Sequence, residues 1–151
     1  MAYEYLGTDL RFDRATGDFQ PLPAGDLSLI SRADCVLQDV FLRLVTPKGD
    51  LWCHPDYGVD IYDYLHAGGT LTNRLALCEM VREEVMKDPR IVPDSIEVQV
   101  SRWDMGTGHL AVSVTFEIEG FTNKYNLVVG WDMSLFDDEI ALTGGEDAWL
   151  R

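Results

Sequence analysis

Residues 95–120 read SIEVQVSRWDMGTGHLAVSVTFEIEG, and this stretch decides the fold. Apolar and polar residues alternate in it on both sides of the glycine-containing link DMGTG, residues 104–108. A period of two residues puts every second side chain on one face, which is the pattern of a half-buried strand. A short link with glycine favours an antiparallel hairpin between two such strands. A third alternating run, KYNLVVGW at residues 124–131, extends the hairpin into a predicted β-meander of three to four strands.

Two longer segments before the meander show the helical period instead. The first, RADCVLQDVFLRLVTPKG at residues 32–49, has apolar residues three and four positions apart until a Pro and a Gly end it. The second covers residues 71–87, and Thr70 or Thr72 is expected to cap its start. Its predicted apolar stripe comprises Leu71, Leu75, Cys78, Val81 and Val85. Two main helices packed on one face of an antiparallel meander make an α+β fold.

The chain length suits a single domain with one modest core, since it has 151 residues. We expect an extended N-terminal arm at residues 1–25, where aromatics, Gly and Pro occur without a helical or strand period. The α+β domain is predicted at residues 26–132, with a short strand in residues 27–31. Residues 133–151 are predicted to form an acidic C-terminal tail.

The charge balance argues against several classes of partner. The chain has 12 Lys and Arg against 26 Asp and Glu, a formal charge of −14. Such a chain repels nucleic acid phosphates and anionic lipid head groups, so we expect no direct nucleic acid binding. The N-terminal residues lack the features of a signal peptide, and no apolar run approaches the roughly 20 residues that span a bilayer. We therefore expect no membrane insertion and a protein made and folded in a cytosol.

The sequence offers no clear metal, cofactor or catalytic site. Three widely spaced cysteines fit reduced thiols, and the neighbours Cys53 and His54, with His66 and His109, lack the short spacing of zinc ligands. No nucleophile elbow, phosphate-binding loop or zinc-protease motif occurs. Carboxylates are so numerous that a glycosidase pair drawn from them carries no information. We expect no catalytic, cofactor-binding or metal-binding residues and no enzymatic activity.

Three short motifs occur in order along the chain. They are Gln38 with the run Leu42-Arg43-Leu44 and TPKG at residues 46–49, then Pro55-x-Tyr57-Gly58, and finally Asp88-Pro89-Arg90. With these motifs the chain resembles the baseplate wedge, or sheath-initiator, family of contractile-tailed phages, which is shared with type VI secretion and related contractile injection systems and carries an older lysozyme-like label. The resemblance covers roughly residues 26–120. The family most often has Glu at the first position of the last motif, where this chain has Asp88.

The resemblance implies a structural adaptor rather than an enzyme. Asp88, Pro89 and Arg90 would dock on baseplate wedge proteins, and an open edge of the meander would meet the tail sheath protein and start its polymerisation. The protein would occur in multiple copies, six in a particle of sixfold symmetry, in a virion tail baseplate assembled in the host bacterial cytoplasm. The alternatives are a lysozyme-like hydrolase of cell-wall glycan and a cytosolic adaptor that shares the fold alone.

Individual residues leave further alternatives open. Arg90 is either paired at the surface with Asp88 or Asp94, or paired at a protein interface with an acid on another chain, which is the sharper hypothesis. Trp149 lies near the end of the chain with no obvious core to join, so we predict a partner contact there, with disorder as the alternative. Three further tryptophans are interpreted as packing residues: Trp52, Trp103 and Trp131.

Overall fold

The computed structural model of the chain describes residues 4–106 and 108–132. The predicted tail at residues 133–151, including Trp149, lies outside the described residues. The elements in chain order are β1 (Thr8–Leu10), β2 (Phe12–Asp13), β3 (Asp18–Phe19), β4 (Leu29–Ser31), α1 (Ala33–Val45), α2 (Ile61–Leu65), α3 (Leu71–Met86), β5 (Glu97–Asp104), β6 (His109–Glu117) and β7 (Lys124–Asp132). One-turn 3₁₀ helices lie at Glu4–Leu6 and Pro93–Ser95.

The predicted meander is confirmed as a three-stranded antiparallel sheet in the order β5-β6-β7. The alternation in β6 is the reason, because every second side chain points into the core. Its four core-facing residues are all buried: Leu110, Val112, Val114 and Phe116. β7 pairs with β6 along its whole length, from Lys124 opposite Glu117 to Asp132 opposite His109. β5 pairs less regularly, because the register shifts by one residue between Val100 and Arg102, which is a β-bulge.

The two main helices cover one face of this sheet, which confirms the α+β fold. α1 buries eight residues in its contacts with the sheet, α3 and the N-terminal segment: Ala33, Cys35, Val36, Leu37, Gln38, Val40, Phe41 and Leu44. α3 begins at the predicted cap, where the Thr70 hydroxyl accepts a hydrogen bond from the Asn73 amide at 3.3 Å. None of the helices in the described part of the chain has the length and hydropathy that crossing a bilayer requires.

The predicted stripe on α3 is wrong at its beginning. Leu71 and Leu75 are 74% and 61% exposed, whereas Leu77, which lies off the predicted stripe, is fully buried. Farther along the helix Val81 and Val85 are buried as expected. A helical period identifies an apolar side of a helix, but it does not tell how far the sheet beneath that side extends.

The segment predicted as an extended N-terminal arm contains short paired strands in its described part, residues 4–25. β1 pairs antiparallel with β4, and β2 forms a hairpin with β3. These strands are two or three residues long, too short to show a period of two in the sequence. The predicted division of the chain at residues 25 and 132 stays a prediction.

Candidate functional site

The side chain of Arg90 lies at the centre of a small polar cluster. Its Nε and Nη2 atoms donate hydrogen bonds to the two carboxylate oxygens of Asp88, at 2.9 and 2.5 Å. The same Nη2 donates to Asp39 at 2.6 Å, and Nη1 donates to the carbonyl oxygen of Leu6 at 2.9 Å. We call these four residues the Arg90 cluster. It joins the N-terminal segment, α1 and the end of α3 through one guanidinium.

Local backbone structure fixes the direction of Arg90. Pro89 cannot continue α3, so the chain turns there, and the Asp88 carboxylate accepts a hydrogen bond from the Arg90 amide at 3.0 Å. The carbonyl oxygen of Arg90 then accepts from the Glu119 amide at 2.8 Å, just beyond the end of β6. Asp88 is buried and Arg90 is half-buried, whereas Pro89 between them is exposed. The tripeptide therefore presents its proline outward and holds its two charges inward.

The ion pair changes the pKa values of both partners. Burial alone would raise the pKa of the Asp88 carboxyl, but the side-chain and backbone hydrogen bonds from Arg90 outweigh it and lower that pKa. The hydrogen bond to Asp88 raises the pKa of the Arg90 guanidinium, against the opposing effect of burial. Both side chains are therefore held in their charged forms at neutral pH. A glycosidase general acid needs a raised pKa instead, so Asp88 does not suit that role.

A second cluster lies beside the first and is centred on Glu84, which is buried on α3. Its Oε1 atom accepts hydrogen bonds from Arg43 at 2.9 Å and from the Gly58 amide at 3.2 Å. Its Oε2 atom accepts from the ammonium of Lys87 at 2.5 Å. We call these residues, together with Tyr57, the Glu84 cluster. A buried carboxylate is tolerated here because each oxygen has a cationic donor.

Arg43 connects the Glu84 cluster to the loop between α1 and α2. Its guanidinium lies 4.4 Å from the centre of the Tyr57 ring, a cation–π contact. Burial raises the pKa of the Tyr57 hydroxyl, and the positive charge of Arg43 opposes that rise. Gly58 follows with φ of +97°, and a Cβ built there would lie 2.2 Å from the carbonyl oxygen of Thr46. Glycine is therefore required at this position by both its conformation and its space.

A shallow cleft of about 460 Å³ opens beside this loop. It is lined by Arg43, Cys53, His54, Pro55, Asp56, Tyr57 and Lys87. Lys87 bridges its two sides, because the ammonium also donates to the carbonyl oxygen of Asp56 at 3.0 Å. In residues 4–106 and 108–132 no group of three or more His, Cys, Asp or Glu is arranged to hold a metal ion. The cleft is therefore a charged surface feature next to the two clusters.

The first motif contributes an anchor for the N-terminal segment. The buried Gln38 amide donates through Nε2 to the carbonyl oxygen of Leu10 and accepts at Oε1 from the amide of Phe12, both at 2.8 Å. This pair of bonds imitates the exchange between two paired strands. Gln38 thus holds the N-terminal segment at residues 10–12, and Arg90 holds it at Leu6.

The structure brings the three motifs of the sequence together, although they are far apart in the chain. α1 supplies Asp39 and Arg43 one turn apart, and Glu84 in the last turn of α3 and Asp88 just beyond the helix have the same spacing. Two of these acids pair with a base from another segment: Asp39 pairs with Arg90, and Glu84 pairs with Arg43. Sequence reasoning did not single out Asp39 or Glu84. The available signal was the spacing of four residues between charged positions on two adjacent helices.

The structure also answers where the partners of Arg90 lie. Of the two local candidates Asp88 is bonded to Arg90, and the second bonded acid, Asp39, was not foreseen. Both belong to the same chain, so the guanidinium needs no acid from another one. The interface role of Asp88, Pro89 and Arg90 stays a prediction, as does that of Trp149.

The three tryptophans interpreted as packing residues differ in their environments. Trp131 is buried and Trp103 is half-buried against the core, as expected. The interpretation is wrong for Trp52, which is 90% exposed in the loop between α1 and α2. Tryptophan is enriched at protein interfaces relative to the rest of the surface.

Comparison with known proteins completes the description of the site. A family model described as "Contractile injection system sheath initiator" matches residues 8–120, which include all three motifs. Among solved structures, a crystal structure from Geobacter sulfurreducens, provisionally described as a tail lysozyme, superposes with a TM-score of 0.57. It shares 21% identity with this chain and covers 65% of it, and 87% of that protein is matched. At this identity the likeness concerns the fold alone. No curated protein matches the chain at a significant level.

Proposed function

The chain belongs to the contractile injection system sheath initiator family, and on that premise we propose that it docks on the baseplate wedge and starts polymerisation of the tail sheath. Family membership makes it a baseplate component of a contractile injection system that interacts with baseplate and sheath components. The docking site and the initiating role are the parts we propose. We place docking at Asp88, Pro89 and Arg90, with Trp149 as a further contact.

The observation that carries this proposal is that the three motifs meet in two adjacent polar clusters, from which Pro89 reaches the surface. The Arg90 cluster and the Glu84 cluster share α1 and the end of α3, and Arg43 of the second cluster acts electrostatically on Asp88 of the first. Their hydrogen bonds hold the exposed Pro89 on a rigid support, so a partner binding there loses little conformational entropy. In this proposal Asp88 and Arg90 shape the docking surface, and Pro89 makes the direct contact.

The other half of the proposal concerns the sheet, which has two edge strands, β5 and β7, in the described part of the chain. An edge strand offers main-chain donors and acceptors to an extended segment of another protein. We propose that one of these edges receives the first ring of sheath subunits. We also propose that the protein occurs in six copies in a particle of sixfold symmetry and that this particle is assembled in the host cytoplasm.

We propose that the protein has no enzymatic activity. The description of the Geobacter protein as a tail lysozyme makes a glycan hydrolase the second candidate. In this chain, the buried acids form ion pairs that do not suit a general acid. Glu84 is bonded to two cations, and Asp88 is held in its charged form by Arg90. A turbidity assay with purified peptidoglycan separates the two functions. Clearing by the full chain would establish hydrolysis, and no clearing beside an active lysozyme standard agrees with a structural role.

A surface substitution tests docking without disturbing the clusters. Pro89→Glu adds a charge to the exposed docking surface, and Pro23→Glu adds the same charge to another exposed proline. Each variant would replace the wild-type chain in the contractile particle to which the protein belongs. Sheathed tails would then be counted by electron microscopy. We expect Pro89→Glu to abolish sheathed tails and Pro23→Glu to leave them normal. Normal particles with Pro89→Glu, in a chain of unchanged melting temperature, would contradict docking at this segment.

A further inference from the structure

Two leucines at the beginning of α3 reach solvent. Leu71 and Leu75 are one turn apart on the helix, and both are largely exposed. A single exposed apolar side chain is ordinary on a protein surface, but adjacent large ones indicate a surface that another segment covers. The surroundings of the two leucines indicate which segment that is.

The beginning of α3 lies at the end of the sheet where β7 finishes. A Cβ built at Gly69, two residues before α3, would lie 3.2 Å from the Trp103 ring in β5. Trp103 is paired with Leu110 of β6, which is paired with Trp131 of β7, so the two indoles lie in one row across the sheet. β7 ends one residue later, at Asp132. The chain therefore leaves the sheet two strand spacings, about 10 Å, from β5.

Both indoles in this row carry a buried donor without an acceptor. The Nε1 atoms of Trp103 and Trp131 have no hydrogen-bond partner within the described residues, and Trp131 is only 4% exposed. An unpaired buried donor costs stability, so it points to an acceptor that the described residues do not supply. A segment that crosses this end of the sheet would bring carbonyl and carboxylate oxygens to the two indoles.

The beginning of α3 also favours an acidic occupant. Its first turn contains no acidic residue, although the positive end of the helix dipole lies there. Arg74 is the fourth residue of the helix, and the carbon of its guanidinium lies 5.9 Å from the centre of the Trp103 ring. Its Nε atom donates to the carbonyl oxygen of Gly69 at 3.0 Å. This positive spot contrasts with the formal charge of −14 on the whole chain.

The sequence directly after β7 is both apolar and acidic. Residues 133–142 read MSLFDDEIAL, in which three acids lie between Phe136 and Ile140. These two apolar residues are four positions apart, as are Leu71 and Leu75. Ten extended residues span up to about 33 Å, which is well beyond the separation of β7 and β5. The segment is therefore long enough to reach the beginning of α3, and its composition matches that surface.

We propose that residues 133–142 fold back over this end of the sheet and cover Leu71 and Leu75. Phe136 and Ile140 supply the apolar part of the contact. The segment comes from the same chain because it is attached directly to the end of β7, which gives it a high effective concentration at this place.

The acids at residues 137–139 lie beside Arg74 in this arrangement, and they complement both its charge and the helix dipole. The inference goes beyond the proposed function, because it concerns a contact within the free chain. It leaves Trp149, which lies beyond the segment, for the partner contact proposed above.

Hydrogen–deuterium exchange of the full chain at micromolar concentration tests this inference. Backbone amides of residues 134–142 should exchange about tenfold more slowly than those of a free peptide with the same sequence. Leu75→Glu puts a negative charge into the contact and should raise these rates to those of the peptide. Leu29→Glu is the matched control because Leu29 is 62% exposed on β4, and this variant should keep the slow exchange.

Substitutions in the segment itself provide a second test. The combined change Asp137→Asn, Asp138→Asn and Glu139→Gln removes the acids from the contact and should speed the exchange of residues 134–142 by about threefold or more. Glu146→Gln removes an acid farther along the chain and should leave the exchange unchanged. Unchanged exchange of β6 amides in every variant would show that the core stays folded.

Three results would overturn the inference. Exchange of residues 134–142 at the rate of the peptide in the wild type would show that the segment makes no contact. Slow exchange that appears only as the protein concentration rises would make a second copy of the chain the source of the segment. Equally slow exchange in Leu75→Glu and Leu29→Glu would place the segment elsewhere on the molecule. Docking on the baseplate would in each case still be decided by Pro89→Glu.

Discussion

Arg90 donates a hydrogen bond of 2.6 Å to Asp39, a residue 51 positions earlier in the chain. This bond fastens the segment after α3 to the middle of α1, and the same guanidinium also binds Asp88 and the carbonyl oxygen of Leu6. Arg90 is thus a structural residue as well as a member of the proposed docking segment. Arg90→Ala would mix a loss of stability with a loss of docking, whereas Pro89→Glu tests docking and Asp88→Asn tests stability.

Asp88→Asn should lower the free energy of unfolding by about 2 kcal/mol at neutral pH. This value is near the lower limit for breaking a buried ion pair, because Arg90 keeps its ion pair with Asp39. The pKa of Asp88 is lowered in the folded protein. Its stabilising effect is therefore complete above the ordinary carboxyl pKa of about 4 and is lost as the pH falls through the lower folded-state pKa. The difference from the wild type should shrink below about pH 4.

Urea unfolding across this pH range measures the effect, with Asp94→Asn as the control because Asp94 is exposed. The control should change stability by less than about 0.5 kcal/mol. If the free energies of unfolding of Asp88→Asn and the wild type differed by the same amount down to acid pH, the charge of Asp88 would not be the cause of that difference.

Gln38→Leu should release the N-terminal segment. The substitution removes both hydrogen bonds of the buried amide, to the Leu10 carbonyl and from the Phe12 amide. We expect a loss of about 2 kcal/mol in the free energy of unfolding, since these backbone groups either stay unpaired or move into water. Limited proteolysis should then cut the chain near residues 8–25 faster than in the wild type. Gln20→Leu, at an exposed position, is the control, and equal cleavage of both variants would contradict the anchor.

Gly58→Ala and Gly49→Ala form a matched pair at positive φ. Both glycines have φ near +90°, at +97° and +91°, but a Cβ at Gly58 meets Thr46 whereas a Cβ at Gly49 meets nothing within 4 Å. Gly49→Ala should cost about 1 kcal/mol for its conformation alone. Gly58→Ala should cost more than about 3 kcal/mol, because the chain must move as well. Equal losses in urea unfolding would show that the close approach to Thr46 does not matter.

The sequence predicted the elements whose patterns repeat over many residues. The alternation in residues 96–131 predicted the meander, and the apolar spacing before Pro47 predicted α1. Both are confirmed because one buried face imposes one period along a long element. The short strands β1, β2 and β3 could not be predicted in this way. Their pairing depends on contacts such as those of Gln38, which join residues 26 and 28 positions apart.

The candidate site was predicted less completely than the fold. The sequence motif predicted that Arg90 needs an acidic partner, and Asp88 is one. Asp39 and Glu84 were missed because the four-residue spacing of charges within each segment does not tell which distant residues form the ion pairs. Leu75 and Trp52 were expected to be buried and are exposed. An apolar side chain does not show by itself whether other parts of the structure cover it.

The β-bulge between Val100 and Arg102 has a consequence for unassembled copies of the chain. A long, regular, exposed edge pairs with any extended chain, including copies of itself, and so promotes fibrils. The bulge divides β5 into two short regular runs, residues 97–100 and 102–104, and each is too short for one copy to template the next. Pairing between copies of the chain through the β5 edge is therefore disfavoured, and this edge remains available to a single short partner segment.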